Sequence, residues 1–113
     1  MKSSKEIIEI AKKVINQEAA AIAQLSTLVD EQFSDAVYAV YQASGRLIIT
    51  GIGKSANIAN KIVATLNSTG QPAMFMHAAD AIHGDLGMVQ ADDTVMCISK
   101  SGNTPEIKVL VPL

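Results

Sequence analysis

Between Ser4 and about Leu28 the apolar residues Ile8, Ala11, Ile15, Ala19, Ile22 and Leu25 return every three or four positions, which predicts one long amphipathic helix. Ser3 followed by Glu6 supplies a capping-box start for it. A second helix is expected from near Asp30, with Phe33, Val37, Val40 and Tyr41 on one face and Gly45 as a left-handed stop. Then the period changes. Arg46 to Thr50, Ala73 to Met76 and Thr94 to Ile98 read as short buried strands, while Ser55 to Ser68 and the stretch from Pro105 onward read as helices. Strands alternating with helices predict an α/β fold: right-handed crossovers and a parallel sheet flanked by helices, preceded here by a helical pair. Ligands of such sheets bind outside the carboxyl ends of the strands, so Gly51 to Ser55, His77 to Gly87 and Ser99 to Thr104 are expected to line one crevice. Three strands make a thin core, and the chain stops about two turns into its last helix. The expectation is a partial domain, residues 1–45 forming the helical pair and 46–113 the βαβ region.

Composition narrows the partners. Hydrophobic residues make up 49% of the 113 and charged residues 18%, which describes a packed interior. The net charge of −2, without a cluster of Lys and Arg, gives no footprint for nucleic acid or an anionic membrane. Neither a signal-peptide core nor a spanning helix is visible, and the one Cys97 lies in an apolar run where a buried, inert thiol is expected. A reducing cytoplasm fits these features.

The segment Gly51-Ile52-Gly53-Lys54-Ser55 follows a strand and opens a helix. Two glycines there let the backbone turn tightly and present N–H groups at a helix N-terminus, where an anion such as phosphate is favoured. It ends like a Walker A loop, but that motif needs a glycine where Ile48 stands. It also fits a permissive dinucleotide fingerprint through Gly51, Gly53 and Ala56, yet the second strand ends in Met76-His77 rather than in an acidic ribose ligand. A plain glycine turn with Lys54 in solvent remains a third reading. A second junction, Ser99-Lys100-Ser101-Gly102-Asn103-Thr104-Pro105-Glu106, combines helix-starting residues with hydroxyls. Asn103 or Thr104 as a cap, Pro105 and Glu106 are explained by helix initiation. Ser99 and Ser101 are not, and with free backbone N–H groups they would cradle a phosphate. Between the two loops, His77, Asp80, His83 and Asp85 include metal-ligating residue types, but the expectation is no metal. His83 is either a hydrogen-bonded loop residue or an acid or base at the crevice.

The segments Gly51-Ile52-Gly53-Lys54-Ser55, Asn67-Ser68-Thr69-Gly70, His83-Gly84-Asp85-Leu86-Gly87-Met88 and Ser99-Lys100-Ser101-Gly102-Asn103 with Glu106-Ile107 resemble the sugar isomerase (SIS) domain of bacterial arabinose 5-phosphate isomerases. The resemblance runs from the N-terminal helices to Leu113. It implies a flavodoxin- or Rossmann-like three-layer domain and an aldose–ketose isomerisation of ribulose 5-phosphate to arabinose 5-phosphate, feeding synthesis of Kdo for lipopolysaccharide and capsule. It also implies a homotetramer with active sites at subunit boundaries. By position, Lys54, His83 and Glu106 resemble catalytic residues, and Gly53, Ser55, Ser99, Ser101, Asn103 and Thr104 resemble substrate-binding ones. Lys100 and Asn103-Thr104-Pro105 depart from the family's usual residues. A further catalytic Glu and His of the family fall beyond Leu113, as do its CBS domains, so this stretch alone is expected to be inactive.

Isomerisation through a cis-enediol needs a base that moves a proton between C1 and C2, a cation or donor for the developing oxyanion, and remote phosphate binding that fixes geometry. Lys54 suits charge stabilisation, His83 proton transfer or hydroxyl orientation, and Glu106 base or positioning duty. Hydrogen moves within the substrate, so no cofactor is implied. A non-catalytic module that senses a phosphosugar or nucleotide sugar, and a dinucleotide-binding fragment, are the competing readings.

Overall fold

The computed structural model describes all residues from Met1 to Leu113. They form two compact units, Met1–Val37 and Tyr38–Leu113. The first holds α1 (Ser4–Leu25) and most of α2 (Glu31–Gln42). Ser3 starts α1, its Oγ accepting the Glu6 N–H at 3.2 Å and satisfying one orphan donor of the first turn. The helix stops about a turn before the apolar period predicts. Ser26 and Thr27 donate their hydroxyls to the carbonyls of Ala23 and Gln24, both at 2.8 Å, and the backbone tightens to three-residue hydrogen bonds through Leu28. No residue of α1 is buried, and the stripe Ile8, Ile15 and Ile22 lies exposed. Asp30 opens α2 by accepting the Gln32 N–H at 3.0 Å.

The second unit runs β1 (Leu47–Gly51), α3 (Lys54–Ser68), β2 (Ala73–His77), α4 (Ala78–Ile82), a 3-10 turn at Asp85–Met88, β3 (Thr94–Cys97) and α5 (Pro105–Leu110). All strands are parallel in the order β2-β1-β3, with Leu47 beside Ala73 and Thr94 and Thr50 beside Met76 and Cys97. Central β1 is buried along its whole length, which is why Leu47-Ile48-Ile49 needs no polar alternation. Its side chains feed two cores. Leu47 and Ile49 pack with Ala59, Ile62, Val63 and Leu66 of α3, while Ile48 packs with Met76, Ala81 of α4 and Leu110 of α5. The chain leaves β1 toward β2 and then returns past β1 to β3. Right-handed crossovers with that reversal of order put α3 and α4 on opposite faces, and α5 joins α4 through Leu110 beside Ala81.

Two expectations are corrected. Gly45 does not adopt a left-handed conformation; the positive φ angles belong to Gly53, Gly70, Gly84 and Gly102. A Cβ at Gly45 would stand 2.3 Å from the carbonyl oxygen of Asp92, so the glycine is needed for close backbone approach. The segment after His77 is not a plain loop. Nδ1 of His77 accepts the Ala79 N–H at 3.2 Å and starts α4, a role that the run of helix formers Ala78-Ala79-Asp80-Ala81 could have signalled.

Arg46 stands just before β1 rather than in it. Its N–H and Nε donate to Asp93 Oδ1 at 2.9 and 3.3 Å, and its guanidinium meets Oδ2 at 2.8 Å and the Met88 carbonyl at 2.9 Å. Asp93 also accepts the Gln90 N–H at 2.8 Å. These bonds hold the Asp93 carboxyl well below the ordinary aspartate range, the Arg46 side chain being the largest cause, and they fasten the entries to β1 and β3 together.

Candidate functional site

The reversal of strand order falls between β1 and β3, and this switch point is where open α/β sheets leave a crevice. The glycine turn leaves β1 and the serine loop leaves β3 on the same side of it, joined at their base by the Ile98 N–H to the Thr50 carbonyl at 2.9 Å. The two segments singled out in the sequence are therefore neighbours.

The turn needs both glycines. At Gly51 a Cβ would lie 3.1 Å from the carbonyl carbon of Ser55, so α3 folds back tightly over the strand end. Gly53 has φ 60° and ψ −131°, a region open essentially to glycine, and it occupies the position before α3 with no side chain covering the helix end. Lys54 is the first residue of α3 and is exposed; Ser55 is half-buried. Beneath the turn, Thr50 is fully buried and its hydroxyl has no hydrogen-bond partner.

The serine loop is held by its own hydroxyls. Ser99 Oγ accepts the Gly102 N–H at 3.0 Å and shares a 2.7 Å hydrogen bond with Thr104 Oγ1, and Ser101 Oγ accepts the Asn103 N–H at 3.0 Å. The amides of Gly102 and Asn103 are thus engaged within the loop, which takes two of its backbone N–H groups out of the expected cradle. Of the three hydroxyl protons, one lies in the Ser99–Thr104 bond and two are not used within the loop, so the hydroxyls are the donors available to an anion. Thr104 occupies the capping position of α5 but makes no side-chain capping bond, because its hydroxyl turns to Ser99. Asn103 is exposed, and Glu106 is half-buried in the first turn of α5, behind Pro105.

His83 closes α4, on the other side of β1, and is exposed with no side-chain hydrogen bond. Neither a hydrogen bond nor an ion pair links Lys54, His83 and Glu106. His77, Asp80, His83 and Asp85 do not gather into a group able to hold a metal ion. A hollow of about 520 Å³ lies elsewhere, over the α4 and α5 face of the sheet, lined by Met76, Leu86, Val95, Cys97, Leu110 and other apolar residues. Burial pushes the Cys97 thiol up, away from the thiolate form, and nothing in that lining would receive a phosphate.

A glycine turn and a hydroxyl loop stand side by side at the switch point of a parallel α/β sheet, an arrangement of donors suited to an anion. The SIS domain model matches residues 39–113, and the chain belongs to the SIS domain family. It is 43% identical over 105 residues to arabinose 5-phosphate isomerase KdsD of Yersinia pestis, covering 93% of this chain and 32% of that protein. It is 40% identical over 113 residues to KdsD of Pseudomonas aeruginosa, covering 100% and 35%. A structure from E. coli CFT073 in complex with arabinose 5-phosphate superimposes with a TM-score of 0.91 at 36% identity, covering 98% of this chain and 59% of that one. The chain spans about a third of the length of these curated relatives.

Proposed function

We propose that this chain forms the front portion of the substrate site of an aldose–ketose isomerase that interconverts ribulose 5-phosphate and arabinose 5-phosphate through a cis-enediol. The observation that carries the reading is the adjacency of the glycine turn and the serine loop at the switch point, in a chain about 40% identical to proteins named for that reaction. The complex of a structural relative with arabinose 5-phosphate supports the same ligand here.

Ser99, Ser101 and Thr104, with Ser55, Gly53 and Asn103, bind the phosphate end, and Lys54, His83 and Glu106 serve the reacting end. Phosphate binding remote from the chemistry fixes C1 and C2 for proton transfer. The Lys54 ammonium stabilises charge as it develops on the substrate oxygen, His83 moves or orients a proton, and Glu106 acts as base or positions a hydroxyl. A homotetramer that feeds Kdo for lipopolysaccharide or capsule, in the cytoplasm, completes the proposal.

Turnover of ribulose 5-phosphate in heavy water, by a protein that carries this chain with the rest of the SIS domain, tests it. The expected result is arabinose 5-phosphate carrying solvent deuterium at C2, with Lys54→Met lowering turnover about a hundredfold or more and binding far less. Binding without turnover in a protein that includes the rest of the SIS domain would instead mark a sensing module. Normal turnover in Lys54→Met would remove the lysine from the mechanism.

A further inference from the structure

The serine loop carries one residue that neither helix initiation nor hydroxyl donation uses. Lys100 stands between Ser99 and Ser101, is exposed, and has no carboxylate partner, since Arg46 with Asp93 is the one ion pair of the chain. It lies three residues past the end of β3, as Lys54 lies three past the end of β1, and those strands are paired. Two unpartnered ammonium groups therefore leave the same edge of the sheet from adjacent strands.

Charge at the phosphate end is otherwise uncompensated. A phosphate monoester carries close to two negative charges at neutral pH. The loop hydroxyls donate hydrogen bonds but bring no charge, and Glu106 is assigned with Lys54 to the reacting end. Lys54 is committed to the oxyanion at the opposite end of the five-carbon chain under the function proposed above, on which the assignment of Lys100 rests. A compact ammonium on a flexible four-carbon stem, set between the two serines, is what the charge balance lacks.

We propose that Lys100 is a specificity-determining cation for the phosphate end of the substrate, favouring a doubly charged phosphate ester over a tetrahedral ester of lower charge. Coulomb energy scales with ligand charge, whereas hydroxyl donation to the two esters is similar. Calorimetry of the chain with arabinose 5-phosphate, arabinose 5-sulfate and arabinose separates the terms. Lys100→Gln is expected to weaken arabinose 5-phosphate about three- to tenfold and the sulfate ester by about the square root of that factor, as half the charge requires. Lys100→Arg should stay within about twofold of the parent, and Lys61→Gln, on exposed α3 surface, should leave both affinities unchanged. No loss in Lys100→Gln, an equal loss for both esters, or the same loss in Lys61→Gln overturns the assignment while leaving the phosphate site standing. If the parent binds arabinose 5-phosphate no better than arabinose, the phosphate-site reading fails and this proposal falls with it.

Discussion

Single side chains at the switch point divide into those that build the loops and those that face a ligand. Ser99 holds the loop twice, since its oxygen receives the Gly102 amide while it shares a proton with Thr104, and under the proposed function it also serves the phosphate. Ser99→Ala should therefore weaken sugar-phosphate binding more than Ser101→Ala, each lost bond to a charged phosphate costing about 1.5 to 3 kcal/mol. Calorimetry on both variants checks the order, and equal affinity to the parent in both would end the cradle assignment. Thr50 makes the opposite forecast. A buried hydroxyl without a partner costs about 1 to 3 kcal/mol, so Thr50→Val, of nearly the same shape, should raise the melting temperature. A lowered melting temperature would mean that the hydroxyl has a partner in solution.

At the scale of elements, the joint between Arg46 and Asp93 ties the start of β1 to the start of β3, and it makes stability depend on acid. The folded carboxyl is held below its ordinary value of 3.8, so its contribution is complete above that pH and is lost as pH falls from there toward the folded value. Melting curves should show the parent losing stability more steeply than Asp93→Asn below about pH 4, with the gap between them widest near neutrality. The strands and long helices were legible from local pattern: Leu47 to Ile49 is apolar without alternation, as burial of β1 on both faces requires, and α1 repeats at helical spacing. The Arg46–Asp93 pair was not, since 47 residues separate its members and no local pattern announces a long-range ion pair. Gly45 misled for a related reason. A glycine after a helix signals a left-handed stop, but here the demand comes from the Asp92 backbone, which only the folded chain brings near. In the serine loop the residues that build the turn were visible, whereas the direction of each hydrogen bond was not, because serine and threonine hydroxyls both donate and accept.

For the molecule as a whole, the exposed stripe of α1 is the feature that a lone chain leaves without cover, and we propose that it lies in a homo-oligomer. Light scattering should return a mass of several chains, and Ile15→Glu should shift it toward one; a parent that remains a monomer at high concentration would count against the assembly. The strand order has a further effect, on the time scale of amide hydrogen exchange. β3 has β1 as its sole neighbour, and the amides of Thr94 and Ile98 donate to Arg46 and Thr50. In a parallel ladder alternate amides point the same way, so Met96 shares their direction while Val95 and Cys97 point away from β1. Transfer into heavy water should then leave the amides of 94, 96 and 98 unexchanged until the joint with β1 opens, so that these three report how often that joint comes apart.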